Sequence, residues 1–474
     1  MPPGGSVQLA LAEAIKDFTD AGIRGRVGCW LIQRWHSRAL ALSCMKLLIF
    51  AHTPPPHHGQ SYMVQLLLEG LGGDHRRRKR RAAGSGPESS FGIECYHVNA
   101  RLSQKLEDIG DLRVSKLILL LGYCLQAIWC RFRYGVTNLY YIPAPGKRSA
   151  LYRDWLVMLL CRPFFKRVIL HWHAAGLARW LELAVSMRWR VLTYRLMKQV
   201  DLSIVLSQYN RADAEKLFSR QIRVVSNGIA DPCPAFAGEV LPRRKARFAA
   251  RQKLLSRQPL EADEARLAGA EPHLIQVLYL AHCTPEKGLF DTLSAVALAN
   301  ERLQQRQSPV AFRLVVAGGF VTNEARAKFD QRIAQPDLAA CVKYLGFVSG
   351  AQKNQWLREA DLFCFPTYYE NENQPVNLIE AMAFGLPILT TRWRSLPELF
   401  PANYPGLVDI RAPEQAADRL LALITSETGE ELRDIFLRHF TLTRHLTAMA
   451  EALRQAETPP PAAVSAAAVR SLPG

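Results

Sequence analysis

From Lys46 onward the chain alternates short apolar runs of strand length with longer stretches whose apolar residues return every three or four positions. Lys46–Ala51, Tyr96–Asn99, Leu139–Ile142, Arg167–Leu170, Leu202–Ser207 and Arg223–Asn227 read as one series of strands. Leu274–Ala281, Arg313–Ala317, Val342–Leu345, Leu362–Phe365 and Pro387–Thr390 read as a second. Ser61–Leu71 follows the first strand as an amphipathic helix, Pro413–Thr425 is a helix near the end, and Glu431–Ala456 holds one or two more. Strands alternating with helices predict parallel sheets covered by helices, an α/β protein. Asp231–Pro272 interrupts the pattern, showing little apolar periodicity beyond Phe248–Leu255, and marks a domain junction. The predicted organisation is a first Rossmann-like domain over 45–265, completed by a helix at about 433–456, and a second over 266–432. Residues 1–44, with helical patches such as Val7–Phe18, are expected to be an extension or start-site artefact before Met45, and 457–474 a disordered Pro/Ala tail.

The sharpest local signal is Tyr368–Thr391. Pro375 suits a first helical turn, while Gly385 and then Pro387 supply a left-handed cap and a block to continuation. Between them Val376, Leu378, Ile379, Met382 and Ala383 recur at helical spacing. A strand on each side makes this a strand-loop-helix-strand unit whose loop brings Glu372, Asn373 and Gln374 to the helix N-terminus. Free N–H groups and the helix dipole there attract phosphate. Glu372 before the helix and Glu380 along it could hold the hydroxyls of a sugar and a ribose on either side of a diphosphate.

This stretch resembles the Glu-x7-Glu motif of glycosyltransferase family 4, retaining enzymes with the two-domain GT-B fold. Glu372 and Glu380 match its two acids, and Glu380-Ala381-Met382-Ala383-x-Gly385-x-Pro387 matches the run that follows. Asn373-Gln374-Pro375 is similar to a Gly-Gln-Pro variant, which puts Gln374 and Val376 against the donor. The loop His282-Cys283-Thr284-Pro285-Glu286-Lys287-Gly288 resembles the family's Gly-Arg-x5-Lys-Gly segment, whose cations hold the leaving diphosphate. Lys287 matches, whereas Ala281-His282 replaces Gly-Arg, which leaves the second positive charge open between His282, a neutral histidine at neutral pH when unperturbed, and another arginine. Phe347 and Val348 fall where the family places backbone beside the nucleotide base, and Gly59 where it carries a Gly-Gly pair near the donor phosphates. His173, with His171 as runner-up, matches a histidine facing donor sugar and acceptor at the end of a strand. Asn227-Gly228-Ile229 resembles the turn closing the first domain, and Phe440-Thr441 the point where the last helix crosses back.

The resemblance implies a metal-independent hexosyl transfer from a nucleotide-diphosphate sugar to a glycan or lipid-linked acceptor, in cell-surface polysaccharide or glycolipid synthesis. It implies no cofactor. No Asp-x-Asp occurs, so the usual carboxylate pair for a cation-bound nucleotide sugar is missing. The alternatives are a catalytically silent sugar-nucleotide-binding or assembly protein of the same fold, and an epimerase with a related plan.

Composition narrows the setting. The chain has 474 residues, 49% hydrophobic and 22% charged, enough for two packed domains. A formal net charge of +18 favours an anionic partner. The run HRRRKRR over 75–81 reads first as a solvated loop, then as a contact to an anionic membrane surface through Arg76–Arg81. Nucleic acid is not expected, because no reading module accompanies the charge. The ten cysteines fall into no framework and read as reduced residues of a cytosolic protein. No segment holds the roughly eighteen consecutive apolar residues of a spanning helix. Leu117–Cys130 comes nearest and is expected to be a buried helix, with a membrane-dipping one as the alternative. The expected location is therefore cytoplasmic, with a peripheral place at the inner face of the membrane.

Overall fold

The computed structural model describes residues 44–55, 58–78, 91–102, 114–143, 145–424 and 429–457. The Val7–Phe18 patch, the tail from 458 and Lys79–Arg81 of the basic run lie outside the described residues.

The first half runs β1 (Met45–Phe50), α1 (Gly59–Gly70), α2 (His75–Arg78), β2 (Ile93–Val98), α3 (Val114–Tyr134), β3 (Asn138–Tyr141), α4 (Arg148–Cys161), β4 (Arg167–Trp172), α5 (Leu177–Ala184), α6 (Met187–Met197), β5 (Leu202–Val205), α7 (Arg211–Lys216) and β6 (Ile222–Val224). Its strands form one parallel sheet in the order β2-β1-β3-β4-β5-β6. Apolar runs, rather than alternating ones, follow from helices on both faces. Leu47 and Ile49 enter one core with Leu67 and Leu71 at α1, while Leu48 and Phe50 enter another with Cys124 of α3 and Val157 of α4.

The second half runs α8 (Leu241–Leu255), α9 (Ala262–Ala268), β7 (Leu274–Leu280), α10 (Leu289–Gln305), β8 (Ala311–Ala317), α11 (Asn323–Ile333), β9 (Val342–Gly346), α12 (Gly350–Glu359), β10 (Leu362–Phe365), α13 (Val376–Ala383), β11 (Ile388–Thr391), β12 (Leu407–Val408), α14 (Pro413–Leu423), α15 (Gly429–His439) and α16 (Leu442–Gln455). Its parallel sheet has the order β12-β11-β10-β7-β8-β9. Two Rossmann-like sheets therefore face each other, the α/β arrangement of the GT-B fold.

The chain crosses between them twice. After β6, the Ile229 N–H donates to the Phe440 carbonyl at 2.9 Å and the Leu442 N–H returns to the Ile229 carbonyl at 2.7 Å. A Cβ on Gly228 would lie 2.5 Å from the Thr441 carbonyl oxygen, so the two crossing strands approach only because Gly228 has none. Beyond Thr441, α16 packs on α1, with Leu446, Met449 and Leu453 in the core under the first sheet.

Three expectations are corrected. Residues 236–265, expected in the first domain, pack on the second. Phe236 and Val240 enter its core, and the buried Arg247 of α8 donates to Asp361 at 3.0 and 3.1 Å. A helix held by a buried ion cluster shows little apolar period, so the pattern did not register it. The helix around Leu117–Cys130 is buried on one side only; Ile118, Leu125 and Phe132 are exposed. Within HRRRKRR, Arg76 is not a solvated cation: its guanidinium pairs with Asp74 at 2.9 Å and reaches the His97 carbonyl. Seven of the nine described cysteines are buried, and all nine are free thiols.

Candidate active site between the two sheets

In an open parallel sheet a ligand crevice forms where the strand order reverses, outside the carboxyl ends of the strands. In the second sheet that point lies between β7 and β10. The loops leaving these strands, 281–288 and 366–375, carry Lys287 and Glu372. Lys287 ends a short 3-10 turn, and Gly288 caps it at φ 78° before opening α10. A Cβ on Gly288 would lie 2.3 Å from the Pro366 carbonyl oxygen, so a side chain there would push the loops apart. Their contact brings Lys287 Nζ to 2.7 Å from Glu372 Oε2, which also accepts from Thr367 Oγ1 at 3.0 Å. The ammonium lies over the Tyr369 ring, 4.4 Å from its centroid.

Pro375 caps α13 in an extended conformation, and the buried Glu380 lies on that helix. Glu380 pairs with Lys353 of α12. Lys353 was not among the residues singled out from the sequence; its only signal is its place on the helix after β9, beside the expected base site. Phe347 and Val348 follow β9 at the sheet edge, Phe347 exposed and Val348 buried in the core. Burial, and then the charge of Lys287, lower the pKa of His282 below the ordinary histidine value, which argues against a second cation there. Lys353 is the second ammonium at the Glu-x7-Glu unit.

The first sheet reverses between β1 and β3, and His52, His58 and Gly59 lie after β1. The place of a Cβ at Gly59 is 3.7 Å from Val376 Cγ2, so the opening of α1 touches the first turn of α13 across the cleft. Tyr62, one turn on, has its phenol raised by burial and then by the charge of Glu380.

The loop between Glu372 and α13 also fastens the domains. The Asn227 N–H donates to Gln374 Oε1 at 2.5 Å, and Asn227 Nδ2 donates to the Gln374 carbonyl at 3.0 Å. Asn373 Nδ2 donates to Asn210 Oδ1 at 2.7 Å, and Glu398 accepts the Gln208 and Tyr209 N–H groups at 2.8 and 2.7 Å. The Gln374 side chain, expected against the donor, is thus engaged by the first domain. A motif read along one chain segment carries no sign of such a cross-domain partner.

β4 runs through His171, and His173 is the first residue beyond it. Their ring centroids are 4.2 Å apart. His171 Nδ1 meets the Tyr140 hydroxyl, while the buried Nε2 atoms of both histidines have no hydrogen-bond partner among the described residues. His52 and His58 share a hydrogen bond between Nε2 atoms at 2.9 Å, and His445 Nδ1 donates to the Ser226 carbonyl at 2.7 Å. Burial, with His445 and His58 adding, pushes His173 down to about 3. Burial also lowers His52, with Arg153 and Arg101 adding, and His445, each to about 4.

These groups bind protons in the unfolded chain below about pH 6.5 and in the folded chain only at lower pH. Stability is therefore expected to be full above that value and to fall as pH drops through it towards about 4. Urea midpoints taken between about pH 7 and about pH 5 should decline; a flat profile would show that the histidines are not held neutral.

Chemically, the cleft offers two ammonium groups, a helix N-terminus, two buried carboxylates and neutral imidazoles. Among the described residues no three His, Cys, Asp or Glu side chains gather as metal ligands.

Residues 267–437 match the family model described as glycosyl transferases group 1. The amylovoran biosynthesis glycosyltransferase AmsK of Erwinia amylovora is 26% identical over 349 residues, 70% of this chain and 78% of that protein. The putative colanic acid biosynthesis glycosyltransferase WcaL of Escherichia coli K12 is 29% identical over 161 residues, and the match spans only 37% of its length. Among solved structures, Anabaena HepE in complex with UDP-glucose superposes with a TM-score of 0.54 at 17% identity, over 87% of this chain and all of that one. OtsA in its apo form gives 0.57 at 12% identity, over 88% of this chain and all of that one.

Proposed function

We propose that this chain, whose second domain matches the glycosyl transferases group 1 model on a GT-B fold, is a retaining glycosyltransferase of family 4 type. It moves a hexose from a nucleotide-diphosphate sugar to a glycan or lipid-linked acceptor in cell-surface polysaccharide synthesis. The observation that carries this reading is the Lys287–Glu372 pair, held at the switch point of the second sheet and beside the N-terminus of α13.

Breaking the anomeric C–O bond develops negative charge on the diphosphate and positive charge on the sugar. Fixed donors aimed at the first, in a site shielded from water, lower the barrier. Lys287 and the free N–H groups opening α13 receive the diphosphate charge without a metal ion. Glu372 orients the transferred sugar through a hydroxyl, and Glu380 with Lys353 holds the ribose. The acceptor enters from the first domain, past Gly59 and His173, where a neutral imidazole accepts a hydrogen bond from a hydroxyl. Transfer occurs on the cytoplasmic side of the membrane. The amylovoran and colanic acid relatives support polysaccharide synthesis, and the UDP-glucose complex of HepE makes UDP-sugars the first donors to try.

The test is a panel of UDP-, GDP- and ADP-sugars scored for thermal stabilisation and slow hydrolysis, with Glu372→Ala in parallel. One nucleotide should stabilise the protein and be hydrolysed, and Glu372→Ala should lose the hydrolysis. Stabilisation with neither hydrolysis nor transfer to any acceptor would point to a silent sugar-nucleotide-binding protein. No response to any donor would sink the reading.

A further inference from the structure

α3 uses one of its sides. Leu120, Cys124, Ala127 and Cys130 are buried in the core between α3, α4 and the first sheet. The opposite side presents Ile118, Leu121, Leu125, Trp129 and Phe132, between 38% and 67% exposed and without a charge among them. At a rise of about 1.5 Å per residue this stripe is about 21 Å long. The Phe132 ring meets the exposed Phe164 at 5.9 Å, which carries the patch beyond the helix. Contiguous apolar surface of this kind marks an interaction site.

Charge decides the occupant. From 114 to 200 there are fourteen lysines and arginines against two carboxylates, Asp154 and Glu182. Asp154 is buried against Arg153. Lys116 stands at one end of the stripe and Arg131 and Arg133 at the other, where the Arg76 guanidinium also reaches Cys130 Sγ at 3.5 Å. An apolar helix face framed by cations fits the interface of an anionic bilayer, with the rings among the acyl chains and the cations among the headgroups. A second copy of the chain would set one cationic frame against another. A polynucleotide would find its cations interrupted by the stripe.

We infer that the exposed face of α3 docks on an anionic phospholipid bilayer, with the helix lying flat in the headgroup region. Ser115–Tyr134 has the length and composition of a spanning helix, at mean hydropathy 1.2. Crossing would require Leu120, Cys124, Ala127 and Cys130 to leave their core, so the helix lies on the membrane rather than through it. The docking does not rest on sugar transfer. If that function holds, it has a use: the Tyr123 hydroxyl donates to the Arg101 carbonyl at 3.1 Å, and the Arg101 charge is felt at His52. Tyr123, midway along α3, thus ties the helix to the segment after β2, on the His52 side of the cleft, where a lipid-linked acceptor would arrive.

The full chain is floated with vesicles of phosphatidylcholine alone and of phosphatidylcholine mixed with phosphatidylglycerol. It should float with the mixed vesicles and be partly released by salt. Leu125→Asp with Trp129→Asp should lower partitioning by more than about tenfold, because two large apolar side chains leave the acyl region. Leu267→Asp, at an exposed site on α9, should change nothing. Both positions on α3 are exposed, so an unchanged circular dichroism spectrum and melting temperature are expected for the variant. Donor-induced stabilisation is measured on the same proteins, so failure of the cleft reading and failure of docking are separately visible. Three results would each overturn the inference: no flotation with either vesicle, flotation unaffected by the paired substitution, or a dimer that this substitution dissolves.

Discussion

Replacing Lys287 with alanine is expected to lower kcat for donor cleavage by about 10²–10³-fold, the usual cost of losing one fixed donor to a developing negative charge. The pairing is close, and it is shielded. Lys287 Nζ lies 2.7 Å from Glu372 Oε2, and the two side chains are 18% and 8% exposed. Removing the ammonium also leaves a buried carboxylate without its cation, so Lys287→Ala should damage the site beyond the diphosphate contact. Glu372→Gln keeps the shape and removes the charge. Because the two residues share one contact, the double variant Lys287→Ala with Glu372→Gln should be no slower than about the worse single variant. Lys287→Arg, which keeps a positive charge, should retain more activity than Lys287→Ala. Single-turnover donor hydrolysis with each variant, at saturating donor, measures these ratios. Near-normal kcat in both single variants would remove the pair from the chemistry.

Glu372 was legible from the strand-loop-helix-strand unit around it, whereas Lys287 was reached only through the resemblance of its loop to the family's Lys-Gly segment. Gly288 and Pro375 punctuate loops between apolar strands, and a charged residue at such a place has few uses in a core. The same local rules placed both series of strands, and they bounded α13 by Pro375 and Gly385, which adopts φ 58° in the structure. What escaped is what depends on a partner far along the chain. Lys353 acquires meaning only through Glu380, and the Gln374 amide only through Asn227, 147 residues earlier. Whether His282 could supply the second cation stays open until its burial is known, and burial is a property of the whole fold. α3 shows the reverse failure. An apolar stretch of its length reads as core, yet the sheet covers one side only, and periodicity within a nearly all-apolar helix cannot say which side is left over.

Asp361 belongs to the same class of long-range feature, and its replacement by alanine is expected to cost the fold about 3–5 kcal/mol, the range for breaking a buried ion cluster by removing one partner. The carboxylate immediately precedes β10, accepts from the Arg247 guanidinium at 3.0 and 3.1 Å and from the Gln276 N–H at 2.9 Å, and is ion-paired with Arg251. Burial alone would raise its pKa, but Arg251 and Arg247 prevail and hold it at about 2. The sign follows from that depression. The stabilisation is complete above the unfolded value of 3.8 and is lost as pH falls through it towards about 2. Asp361→Ala leaves two buried guanidiniums with no carboxylate between α8 and the second sheet, which removes the tie that puts 236–265 on that domain. A melting temperature lower by about 10 °C is the expected size in a domain of this length. Asp361→Leu combined with Arg247→Met should recover part of the loss, since the apolar pair leaves one buried guanidinium uncompensated, that of Arg251, instead of two. If Asp361→Ala melts within about 2 °C of the parent, the cluster is not what fastens α8. If the apolar pair is as unstable as the single variant, geometry rather than charge is what the site requires.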